Sequence, residues 1–143
     1  MSIKKMLFSS LLFVSFYSSS IITFASDIQI YNDTNFFATS RINGGKCSNE
    51  PPLGNDGVTQ PCQKPHIVSE KLLNLVCWKN KTPCTADVYL TNNCTGPVIA
   101  TVLVNLKENT LNIPWHDDRY VITHDGFKIN FSDGLKQCPN KSK

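Results

Sequence analysis

The stretch Cys77–Cys94, CWKNKTPCTADVYLTNNC, holds three of the six cysteines of the chain. Its reading decides both the fold class and the redox setting. After Cys84 the residues alternate: Ala86, Val88 and Leu90 interleave with Asp87, Tyr89 and Thr91. A period of two marks a half-buried strand. At about 3.3 Å per residue, such a strand holds Cys84 and Cys94 roughly 25 Å apart. A disulfide needs Cα atoms within about 7 Å, so a straight strand keeps this pair apart. Cys77 and Cys84 instead flank the turn-like WKNKTP and are placed to tie a hairpin.

The six cysteines, Cys47, Cys62, Cys77, Cys84, Cys94 and Cys138, are separated by 14, 14, 6, 9 and 43 residues. Zinc sites use close pairs such as C-x2-C, and none is present, so no metal is expected. An even count in a small exported chain reads as a disulfide framework with no thiol left over for catalysis. Many pairings satisfy that count. The set expected from local geometry is Cys77–Cys84, then Cys47–Cys62 closing the loop SNEPPLGNDGVTQP, then Cys94–Cys138 tying the tail to the body.

Export is read from the first residues, MSIKKMLFSSLLFVSFYSSSIITFAS. Lys4 and Lys5 precede a charge-free run, Met6 to Phe24, and small residues at Thr23 and Ala25 suit a signal peptidase. Cleavage after Ala25 leaves one domain, residues 26–143. An uncleaved anchor is the alternative, but serines dilute the apolar run. Losing Lys4 and Lys5 takes the basic count from 14 to 12, against 11 acidic residues. That near-neutral balance lacks the basic stripe of a nucleic-acid binder. A membrane is not an expected partner once the signal is removed, and a monomer is expected.

The mature chain reads as all-β: a small antiparallel sandwich or barrel held by disulfides. Ile28 and Ile30 alternate in DIQIYN, and FFATSRI (Phe36 to Ile42) follows a polar turn. IVSEKLLNLVCW, Ile67 to Trp78, suits a helix turn as well, but its β-rich surroundings favour a strand. Val98, Ala100, Val102, Val104 and Leu106 share one face, and Leu111, Ile113 and Trp115 continue it on the return. In YVITHDGFKINF, Tyr120 to Phe131, Asp125-Gly126 is a two-residue turn signal. That turn sets His124 opposite Phe127, Ile122 opposite Ile129 and Tyr120 opposite Phe131.

Chemistry is sparse. The segment WHDDRY, Trp115 to Tyr120, and the later His124-Asp125 hold two histidines and three aspartates. His116 and His124 lie about 26 Å apart along an extended strand, which leaves His116 with Asp118 as the one hydrolytic pair. No nucleophile elbow, Ser-x-x-Lys or phosphate loop exists in the mature chain. The expectation is a non-enzymatic protein with no cofactor. Loops carry binding on rigid β scaffolds, and the 14 residues between Cys47 and Cys62 include Asn55 and Asp56. Trp78 and Trp115 are the ring candidates, since exposed aromatics stack on sugars or anchor protein partners. The pleat sends Trp78 outward if Cys77 points to the core. Asn32, Asn80, Asn93, Asn130 and Asn140 each open a sequon, of consequence only where export passes through a glycosylating pathway.

The run PCTADVYLTNNCTGPVIATVLV, Pro83 to Val104, with the hairpin ending HDGFKINF at Phe131, resembles a recurring pattern. Its bearers are small exported, cysteine-containing β proteins of Gram-negative intracellular bacteria. The shared motif is C-T-A followed by N-N-C-x-G. The resemblance implies a bacterial origin and export to the periplasm or the medium, and it supplies no activity or site residue. The sequence thus points to an exported interaction protein with a protein or glycan partner. A lectin-like carbohydrate binder is one alternative. A periplasmic hydrolase inhibitor, plugging a cleft with the loop Ser48 to Pro61, is another.

Overall fold

The computed structural model describes residues 27–63, 65–77, 83–135 and 138. The expected signal segment, residues 1–25, lies outside them. Among the described residues eight strands and one α-helix run in chain order β1 (Ile28–Asp33), β2 (Thr39–Ile42), β3 (His66–Val68), α1 (Glu70–Cys77), β4 (Cys84–Tyr89), β5 (Ala100–Asn105), β6 (Thr110–His116), β7 (Val121–Asp125) and β8 (Lys128–Ser132). They form two four-stranded sheets, ordered β3-β1-β8-β7 and β2-β4-β5-β6. The fold is therefore a sandwich, and the sheets do not close into a barrel. All pairings are antiparallel except one. β1 and β8 run parallel in the middle of the first sheet, with Ile30 opposite Ile129.

The core lies between the sheets and follows the period-two pattern. In β5, Ala100, Val102 and Val104 are buried while Thr101, Leu103 and Asn105 are partly exposed. Ile28, Ile122, Ile129 and Phe131 meet them from the first sheet, with Val88 and Leu111 alongside. Asn32 is also wholly buried, at the end of β1. Its amide donates to the carbonyls of Phe36 and Gln60, and its Oδ1 accepts from Thr34. That side chain is spent on holding two loops and has no freedom to carry a glycan.

Three sequence expectations change. The segment Ile67 to Trp78 is not one strand. Three residues of strand, His66–Val68, give way at Ser69 to α1. Ser69 caps the helix, its Oγ accepting from Leu72 N at 3.3 Å. Leu73 and Cys77, four apart, form the buried stripe. A local cap and i,i+4 spacing outweigh the β character of the neighbours.

The β7–β8 hairpin keeps its apolar face but slips in register. Ile122 faces Phe131 and His124 faces Ile129, with Asp125 opposite Lys128. The turn centres are Gly126 and Phe127, and Gly126 takes φ 55. Glycine first, with positive φ, is the type II′ solution, so Asp125 is free to remain in the strand. Phe127 also lends its carbonyl to Gln29 N in β1. A slip of two residues leaves every side chain on its original face.

The bridges are Cys77–Cys84, Cys47–Cys94 and Cys62–Cys138, with Cα atoms 5.5, 5.7 and 5.4 Å apart. The expected Cys47–Cys62 and Cys94–Cys138 pairings are thus replaced. Cys47 lies beside Arg41 of β2. Cys94 is fixed to the same strand, because its N–H donates to Thr39 Oγ1 at 3.0 Å. Parallel pairing of β8 with β1 carries the tail past Asp33, where Cys138 meets Cys62 near Thr34. The two ends of the 14-residue loop are therefore pinned to different parts of the body and not to each other.

Candidate functional site

A bulge in β6 builds the clearest exposed feature. Asn112 pairs with Leu103 and Trp115 with Thr101, so Ile113 and Pro114 together oppose Val102. Two residues against one shift the pleat. Leu111 stays in the core, but Trp115 turns outward and is 50% exposed. The expectation that Trp115 continues the inward apolar face is overturned for this reason. Pro114 cannot donate to a ladder and suits the edge position of β6.

Directly opposed residues in antiparallel strands share a face. Arg41 opposes Asp87, Asp87 opposes Thr101, and Thr101 opposes Trp115. A polar row thus crosses the outer face of the second sheet and ends on an indole. Thr101 Oγ1 donates to Asp87 Oδ1 at 2.8 Å, and Arg41 Nη1 donates to the carbonyl of Gly45 at 3.1 Å. On the same face Tyr89 is buried beneath the Cys47–Cys94 bridge. The platform sets an indole beside the Thr101 hydroxyl, with the Asp87 carboxylate two strands away and the Arg41 guanidinium three.

The WHDDRY segment does not assemble a hydrolytic pair. His116 opposes Ala100 and is half-buried, with Nδ1 3.2 Å from the carbonyl of Asp117. Asp118 is exposed, and no hydrogen bond joins it to His116. Asp117, which the sequence did not single out, holds Arg119 through both side-chain and backbone hydrogen bonds, the closest at 2.6 Å. The Arg119 side chain, and then its backbone N–H, lower the Asp117 pKa to about 2. Among the described residues no three His, Cys, Asp or Glu side chains converge on a metal-sized space.

Asn55 and Asp56 lie elsewhere. They sit in a 3-10 turn, Gly54–Gly57, beside β3. Trp115 lies on β6, at the far edge of the sandwich from β2 and β3. Both asparagine and aspartate are exposed, but the loop around them is fixed. Ser48, Leu53 and Thr59 are buried, and the Asp56 carbonyl is 2.6 Å from His66 Nε2. Gln63 Nε2 lies 3.3 Å from Nδ1, so both ring nitrogens of His66 are engaged. The loop is a wall of the body. Between it and α1 opens a cleft of about 510 Å³, with Pro51, Pro52 and Leu75 along it and Lys46 at its rim. Trp78, the remaining ring candidate, lies outside the described residues.

These features define a class: a small all-β sandwich crosslinked by three disulfides, with a polar–aromatic outer face. No family model matches the sequence, and no curated protein matches it. Among solved structures, the chain is similar to the Legionella pneumophila type II secretion system substrate NttC. The TM-score is 0.58 and the identity 16%, over 75% of this chain and 96% of that one. At that identity the likeness is one of fold.

Proposed function

We propose that this chain is an exported, non-enzymatic binding protein that meets its partner through the outer face of the second sheet. Three features support export: the signal-like N-terminal sequence, six cysteines all paired in bridges, and a fold like that of a secreted substrate. No helix among the described residues is long and apolar enough to cross a membrane. The observation that carries the binding role is the bulge that turns Trp115 out to solvent at the end of the row Arg41–Asp87–Thr101. A half-exposed indole costs hydrophobic stabilisation unless something covers it, and tryptophan is enriched at binding hot spots.

A glycan is the second reading, favoured by the chemistry of that row. Indole faces stack on sugar rings, while carboxylate, guanidinium and hydroxyl groups match sugar hydroxyls. The test is capture of partners from host-cell, envelope and glycan libraries by the oxidised domain, wild type against Trp115→Ala. Binding lost in the variant with unchanged circular dichroism supports the reading. Protein capture specifies the first form, and glycan capture with a shift in tryptophan emission specifies the second. Equal capture by both proteins overturns the assignment of this face.

A further inference from the structure

A second site lies at the opposite edge of the sandwich. Between the sheets is a cavity of about 90 Å³. Its wall is aliphatic, with Ile28, Ile30, Val88, Val102 and Ile129 among its residues. Well-packed interiors hold few voids larger than a water molecule. Buried polar side chains also reach this wall, but they are already engaged. Thr39 Oγ1 donates to the Thr91 carbonyl and accepts from Cys94 N. Ser48 Oγ accepts from Ser40 N and donates to the Gly57 carbonyl. Both ring nitrogens of His66 have partners. Among the described residues the only buried side-chain polar atom without a hydrogen bond is Asn109 Oδ1, in the β5–β6 turn. With Thr39, Ser48 and His66 engaged and most of the wall aliphatic, the cavity suits an apolar group.

This cavity abuts the external cleft. Ile42, Ser48, Leu53 and Val76 line both. The cleft continues the apolar surface outward over Pro51, Pro52 and Leu75, which is 55% exposed. Its rim carries one charge of each sign, differently engaged. Glu50 is engaged by the N–H of Cys47 at 3.3 Å, whereas the Lys46 ammonium has no ion pair or hydrogen bond among the described residues. A cavity of about 150 Å³ admits benzene. The smaller one here suits the slim end of an alkyl chain.

We propose that cleft and cavity together bind a free medium-chain fatty carboxylate. Its methyl end fills the cavity behind Val76 and Leu53. Its chain crosses Leu75 and the two prolines, and its carboxylate lies near Lys46. This site is independent of the Trp115 face.

The test is methyl-resolved NMR of the oxidised domain titrated with hexanoate, octanoate and decanoate below their micelle concentrations. Shifts at Ile42, Leu53 and Val76, with affinity rising about fourfold per added methylene, are expected. Val76→Phe, filling the passage, should weaken decanoate at least about tenfold, the loss of two or so buried methylenes. Lys46→Glu is exposed and leaves the core intact. It should weaken decanoate by about threefold and leave decanol unchanged, and it carries the test if Val76→Phe does not fold. Trp115→Ala should leave decanoate binding unaltered. The proposal is overturned if decanoate shifts none of these methyls, or if folded Val76→Phe binds it equally. It is also overturned if the domain binds phosphatidylglycerol vesicles but not monomeric decanoate.

Discussion

At the scale of single residues, Asp117 and Arg119 perturb each other within the WHDDRY segment. The Asp117 carboxylate is held at a pKa of about 2 by the Arg119 side chain and backbone N–H. The folded value lies below the unfolded one, about 3.9. The interaction therefore contributes stability in full above the unfolded value and loses it as pH falls through about 2. Carbonyl NMR of Asp117 should give a midpoint near 2, and Arg119→Gln should return it toward about 3.9; an unmoved midpoint would remove Arg119 as the cause. Neither this pair nor the outer row was legible in the sequence. The histidine and two aspartates of WHDDRY drew attention by residue type, while Asp117 turned to Arg119 two residues away. Arg41, Asp87 and Thr101 are far apart in the chain and meet Trp115 only through strand register. The one local signal was Pro114 inside a strand, which marks an edge or a bulge and would have put Trp115 outside.

At the scale of elements, strands with clean alternation were readable and mixed ones were not. β4 and β5 match their apolar period because one face meets the core and the other meets solvent. In the Ile67–Trp78 segment Leu72, Leu73, Leu75 and Val76 fit either period, and the Ser69 cap decides for the helix. Asp-Gly suits a type I′ turn one residue earlier than the turn the hairpin adopts. In the molecule one glycine with φ 55 is enough. Gly126 has open space where a Cβ would go, so substitution there tests backbone conformation alone. Gly126→Ala should cost about 1 kcal/mol in urea denaturation. An unchanged midpoint would mean that the turn does not depend on left-handed backbone.

At the scale of the molecule, the disulfides join what the sequence keeps apart. The local bridge, Cys77–Cys84, could be read from its flanking turn. The other two depend on β2 lying beside β4 and on β8 lying beside β1, and no local pattern encodes either neighbour. Chain-entropy reasoning ranks the bridges by the segments they close, 76, 47 and 7 residues apart in sequence. Removing them should cost about 4.5, 4 and 2.5 kcal/mol respectively. Paired Cys→Ser variants compared by chemical denaturation should follow that order. Peptide mapping without reduction should recover Cys62 linked to Cys138, and a Cys47–Cys62 peptide would contradict this crosslinking. Which sheet each strand joins was likewise illegible, since sandwich and barrel share the same inside–outside alternation until the pairing is known.

The parallel seam between β1 and β8 has a consequence in time. β1 is the first described strand and β8 the last, yet they are neighbours at the centre of one sheet. Until β8 arrives, β1 has only the three residues of β3 beside it, and β7 has no partner in its own sheet. The first sheet cannot be assembled in the order of the chain, and contacts of such long range form slowly. Passed end-first through a narrow opening, N-terminus leading, β1 would find its central partner only after nearly all of the described chain had crossed. The connectivity thus postpones the first sheet, and the longest crosslink can close only once Cys138 is through.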